Sequence, residues 1–216
     1  MSVEAKIHLS KFEMELVNST DWILTKQSIL KKVYLLFGEL LEKYKSISMK
    51  EQNLLTGFDI EKNGKISKGD NYLGLPYVML DYPALFKKED IFAVRTMFLW
   101  GNFFSITLHI SGEHKLKNIV VPDILNHLSE SDFFICIAED EWQHLFDNTN
   151  YVSVKDLDEQ QQAAISSKNF FKISKKIELG KWNETPGFLE KTYGEIIDII
   201  KLSYRSHYLG IKLPDK

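Results

Sequence analysis

Residues 91–110 read IFAVRTMFLWGNFFSITLHI, two runs of β-branched and aromatic residues on either side of Gly101-Asn102. Such residues suit a pleated, half-buried surface, and glycine at the first of two central positions suits a type II′ turn. The stretch therefore predicts an antiparallel hairpin. With a two-residue turn, one surface pairs Trp100 with Phe103, Phe98 with Ser105, Thr96 with Thr107 and Val94 with His109. The other surface carries Ala93, Arg95, Met97 and Leu99 beside Phe104, Ile106, Leu108 and Ile110. Only Arg95 interrupts that apolar face.

Two long helical periods bracket this hairpin. From Asp21 to about Lys45, apolar residues recur at Trp22, Ile29, Leu30, Val33, Phe37, Leu40 and Tyr44, with Lys31, Lys32, Glu39 and Lys43 on the opposite side. Ser19, Thr20 and Asp21 each offer an oxygen to cap that helix, and SKFEMEL before it predicts a further helical turn or two. Near the other end, Thr185 and Pro186 suit a helix start, Leu189, Tyr193, Ile196, Ile197, Ile200 and Tyr204 form its stripe, and Gly210 suits its stop. Strands are predicted at 77–82, 132–138 and 170–179, the last alternating Phe171, Ile173 and Ile177 against Lys172, Ser174 and Lys176. Short helices are expected after Pro122 and Ser153. With no repeat or linker, the chain predicts one α+β domain over residues 1–216: an antiparallel or mixed sheet with the long N-terminal and C-terminal helices packed on one face.

Bulk properties narrow the function classes. The 27 Lys and Arg against 30 Asp and Glu give a formal charge of -3, so no basic excess draws nucleic acid. No apolar run approaches the roughly 20 residues that span a bilayer, and the N-terminus has no apolar signal core, so no membrane partner is expected. Cys136, the only cysteine, sits in the apolar run FFICIA, which fits an inert buried thiol in a reducing cytoplasm.

Four groups of residues invite a chemical reading. DIEKNGKISKGD at 59–70 places Asp59, Glu61, Asn63 and Asp70 at calcium-loop positions with Gly64 at the turn. The following NYLGLPYVML breaks any exit helix, and Asn63-Gly64 flanked by Ile60 and Ile66 reads as a hairpin turn, so no metal is expected. Glu141 and His144 form a single Glu-x-x-His pair where a carboxylate di-iron bundle needs two, and Glu139-Asp140-Glu141 reads as a solvated acidic turn. His109 and His114 flank Ser111-Gly112-Glu113, and His109 shares its strand face with Ser105 and Thr107, a polar strip that lines a pocket or faces water. Arg95 on an apolar face requires a partner, and Asp81 in VMLDYP is the first candidate. Nucleophile-elbow, phosphate-loop, zincin and dinucleotide motifs are absent, and no cofactor is implied.

The segments KISKGDNYLGLPYVMLDYP and RTMFLWGNFFSITLHISG resemble uncharacterised bacterial proteins of about this length with no assigned activity. The resemblance implies a cytoplasmic protein and carries no functional residues. Two functional expectations follow. One is a non-catalytic module binding a small molecule or a protein partner, with Asp81, Arg95, Ser105, Thr107 and His109 as candidate ligand contacts. The other is an enzyme using that strip, with His109 as base or acid.

Overall fold

A computed structural model describes residues 7–51, 64–88 and 90–209. Ser10 and Glu13 form a capping box that opens α1 (Lys11–Asn18), and the Ser19 hydroxyl accepts from the Trp22 N–H at 3.4 Å to cap α2 (Thr20–Lys50). Seven strands follow: β1 (Lys65–Tyr72), β2 (Leu75–Phe86), β3 (Ile91–Leu99), β4 (Phe103–Ser111), β5 (Phe134–Cys136), β6 (Tyr151–Ser153) and β7 (Phe170–Glu178). They form one antiparallel sheet in the order β1-β2-β3-β4-β7-β5-β6. Between strands lie α3 (Glu113–Asn118), α4 (Val121–His127) and α5 (Glu159–Ser167), and α6 (Thr185–Leu209) closes the described chain. Gly210 lies outside the described residues.

The expected α+β architecture is present, with α2 and α6 on the same sheet face. Val33, Phe37 and Leu40 of α2 and Leu189, Ile196 and Ile200 of α6 join Val78, Phe98, Phe104, Leu108 and Ile173 of the sheet in one buried core. The two helices run side by side in the same direction: Lys43 pairs with Glu190 at 2.5 Å, and the Ser48 hydroxyl meets the Tyr193 hydroxyl at 2.6 Å. Between them Tyr44 and Tyr193 stack with ring centroids 3.9 Å apart, and Tyr44 reaches Thr96 on the sheet at 3.2 Å. Among the described residues no helix is long and apolar enough to cross a membrane.

The hairpin exists, but its register differs from the expected one by one residue. Leu99 opposes Phe103, Phe98 opposes Phe104, Met97 opposes Ser105 and Arg95 opposes Thr107. The cause lies in the turn. Asn102 N–H donates to the Leu99 carbonyl at 3.1 Å, and Gly101 has φ +72°. Glycine thus fills the third position of a four-residue turn, where positive φ is needed, and Trp100 joins the loop as a third residue. Because side chains alternate with period two, this slip turns β3 over relative to β4. Arg95 therefore shares its face with Ser105, Thr107 and His109, while Phe98 joins Phe104 under the helices.

Of the calcium-like stretch, Asp59, Glu61 and Asn63 lie outside the described residues, and with them the turn expected at Asn63-Gly64. Lys65–Tyr72 is strand β1, and Asp70 lies 3.6 Å from Lys26 at the surface. The second half of that stretch therefore leads into β2 rather than into a helix.

Candidate functional site

The observed register assembles a polar patch on the sheet face away from α2 and α6. Asp81, Arg95, Thr107 and Ser174 stand in one row across β2, β3, β4 and β7, and His109 stands beside Lys172 in the next row. Arg95 Nε donates to Asp81 Oδ1 at 2.7 Å and Nη2 to Oδ2 at 3.1 Å, the two-pronged geometry that a guanidinium and a carboxylate share. The expected Asp81–Arg95 partnership is thus present. Thr107 and Ser174 hydroxyls meet at 2.8 Å, and Ser105 is buried one rung further along.

The chain between β5 and β6 lies over this patch, an arrangement that strand periodicity alone did not reveal. Glu141 Oε2 meets His109 Nε2 at 2.8 Å, and since a carboxylate only accepts, Nε2 carries the proton. His144 Nε2 sits 3.5 Å from Arg95 Nη1, a contact in which the imidazole must offer a lone pair. Its own N–H of the backbone donates to the Tyr72 hydroxyl at 2.8 Å. Lys172, 1% exposed, donates to the carbonyl of Glu141 at 2.7 Å and to that of Gln143. Trp142 closes over His109 with ring centroids 5.5 Å apart. Of the expected solvated turn Glu139-Asp140-Glu141, Glu141 instead turns in to the sheet, as does His144, and each holds one member of the patch. Glu139 and Asp140 of that run do face water, Glu139 paired with Lys168 at 3.0 Å.

Burial governs the titration of this cluster. It pushes the His144 imidazole down to about 2, helped by the positive charges of Lys172 and Arg95. Burial also lowers His109, against the opposing pull of its Glu141 hydrogen bond, and lowers the Lys172 ammonium to about 8. Cys136, opposite Tyr151 at the end of the patch, is buried and its thiol is pushed up. The two histidines make the fold acid-sensitive. Below the unfolded-state value near 6.5 the unfolded chain binds protons that the folded chain refuses, so stability is greatest above that pH and falls as pH drops. Urea unfolding from about pH 7 to about pH 5 is expected to show a loss approaching 1.4 kcal/mol per pH unit from the His144 imidazole, with a further loss in the same direction from His109 and a shallower slope in His144→Asn. A flat profile would refute this.

A second feature opens at the other end of β7. An open groove of about 610 Å³ runs between β7 and the start of α6, with Phe134, Ile177 and Phe188 among its apolar lining and Lys181, Glu184 and Lys191 among its charged groups. Four lysines and four carboxylates line it, so it has no net charge to select a polyion. Lys175 is tied across it to Glu195 at 2.8 Å.

Backbone direction along this groove follows from the ladder. The Phe133 carbonyl accepts from the Val154 N–H and the Ile137 N–H donates to the Asn150 carbonyl on the β6 side, so the alternate residues Phe134 and Cys136 direct their backbone groups to β7. Ser174 opposes Phe134, hence Lys176 and Glu178, two and four residues on, direct their backbone N–H groups to the same side. There β5 has already ended at Phe134. Among the described residues no strand lies opposite these groups.

No protein-family model, curated protein or solved structure matches this chain.

Proposed function

We propose that this is a non-catalytic cytoplasmic module that binds an extended peptide segment of a partner protein, which adds as a strand beside β7. The observation that carries this reading is the unpaired edge at Lys176 and Glu178 facing an open groove with an apolar floor. Strand addition draws its affinity from main-chain hydrogen bonds and its selectivity from pockets for alternate side chains. Phe134, Ile177 and Phe188 supply such pockets, and the balanced charges of the rim suit a peptide of mixed composition. The catalytic alternative has less support. His109 is engaged by Glu141 and covered by Trp142, and Arg95, Thr107 and Lys172 each spend their donors on protein partners. The patch is better read as the latch that holds the β5–β6 connection on the sheet.

The edge has a direct signature in the free protein. Amide hydrogens of Lys176 and Glu178 are expected to exchange on the order of a hundredfold faster than those of Lys172 and Ser174, read residue by residue by NMR. Equal protection would mean that the edge is already paired. For binding, a displayed peptide library is panned against the wild-type chain and against Lys176→Pro, which removes the N–H directed into the groove and spares the ladder to β4. Selected peptides should bind the variant at least tenfold more weakly and should protect the Lys176 and Glu178 amides. Peptides that bind both proteins equally, or none at all, would overturn the reading.

A further inference from the structure

We propose that the chain forms a homodimer through α1 and the first turns of α2. Eight large apolar residues between Ile7 and Leu24 are exposed, among them Ile7 at 74%, Val17 at 69%, Phe12 at 66% and Leu24 at 59%. Helix α1 buries no residue at all, and the first fully buried position of α2 is Leu30. Over this stretch the described chain therefore leaves these eight large apolar side chains open to solvent.

Its size and charge single out a second copy as the occupant. With on the order of 200 Å² per fully open large side chain, the exposures of these eight residues leave about 900 Å² of such surface. The largest apolar patch of an ordinary monomer is about 300–600 Å², whereas a stable dimer covers about 800 Å² on each partner. The patch thus matches one side of a standard dimer contact. A two-fold contact also requires a self-complementary surface. Lys11 lies at the start of α1, Glu13 and Glu15 follow within it, and Asp21 stands in the first turn of α2, so a two-fold meeting of two copies can set Lys11 of each against an acid of the other. A membrane surface would instead call for a polar side rich in lysine and arginine, and this segment carries three acids, Glu13, Glu15 and Asp21, against the one base Lys11.

The test is sedimentation equilibrium of the full chain, alone and with sedimenting vesicles of phosphatidylcholine and phosphatidylserine. A dimer with Kd at or below about 10 µM is expected. The double variant Phe12→Glu, Leu24→Glu alters two exposed positions and should keep the wild-type dichroism spectrum while weakening the dimer at least a hundredfold. Lys176→Pro should leave the dimer intact, which separates this interface from the peptide groove. A wild-type chain that stays monomeric at about 100 µM, a dimer unaffected by the double variant, or a monomer that partitions onto the vesicles would each overturn the proposal.

Discussion

Replacing Asp81 by alanine is expected to lower the unfolding free energy by roughly 3–5 kcal/mol, because it strands the Arg95 guanidinium on a covered sheet face. The Asp81 side chain is 9% exposed and that of Arg95 15%, so water offers little replacement solvation. What remains beside Arg95 is the Phe86 ring, 5.3 Å from the guanidinium carbon, and a neutral His144 nitrogen. Neither brings a counter-charge. The double variant Asp81→Leu, Arg95→Met removes both charges and should regain most of the loss, since a buried pair is often no more stabilising than apolar residues of like volume. Urea unfolding of the single and double variants decides the matter. An unchanged midpoint in Asp81→Ala would show that Arg95 does not depend on that carboxylate.

Phe104→Ala should cost a comparable amount, about 3–5 kcal/mol, through the cavity it leaves. Phe104 is fully buried on β4 and its ring is the hub of an aromatic group, with Phe98 at 5.1 Å, Trp182 at 5.3 Å and Phe37 at 6.3 Å between centroids. Those three neighbours come from β3, the turn before α6, and α2. Loss of the ring therefore loosens the sheet from both long helices at once. Denaturant unfolding followed by tryptophan emission measures the cost, with Trp182 at the site of change. A loss under about 1 kcal/mol would mean that the helices collapse onto the gap.

The candidate site was legible only in parts. Arg95 on an apolar face demanded a carboxylate, and Asp81 proved to be it. His109, Ser105 and Thr107 were recognisable as one strip because strand alternation is a local property. Arg95 was assigned to the opposite face, since the turn holds three residues rather than two and the register slipped by one. Lys172 and Ser174 read as the outer side of an ordinary half-exposed strand, yet they are 1% and 0% exposed. Nothing in the local pattern of residues 139–147 says that Glu141 and His144 fold back over the sheet.

The groove escaped sequence reading for a similar reason. It exists because β5 is three residues long while β7 has nine, and strand length at a sheet edge is settled by what packs around it. The sequence by itself determined the elements: the 3.6-residue stripes of α2 and α6, the strand character of β2, β3, β4 and β7, and a cap for α2 among Ser19, Thr20 and Asp21. These depend on neighbours along the chain, where periodicity and side-chain chemistry act directly. Only the tertiary structure decided which faces meet. The order of strands, the one-residue register of the hairpin, the latch over the polar patch and the unpaired end of β7 all depend on contacts between residues far apart in sequence. Their energies compare whole packings, and no local window of residues contains that comparison.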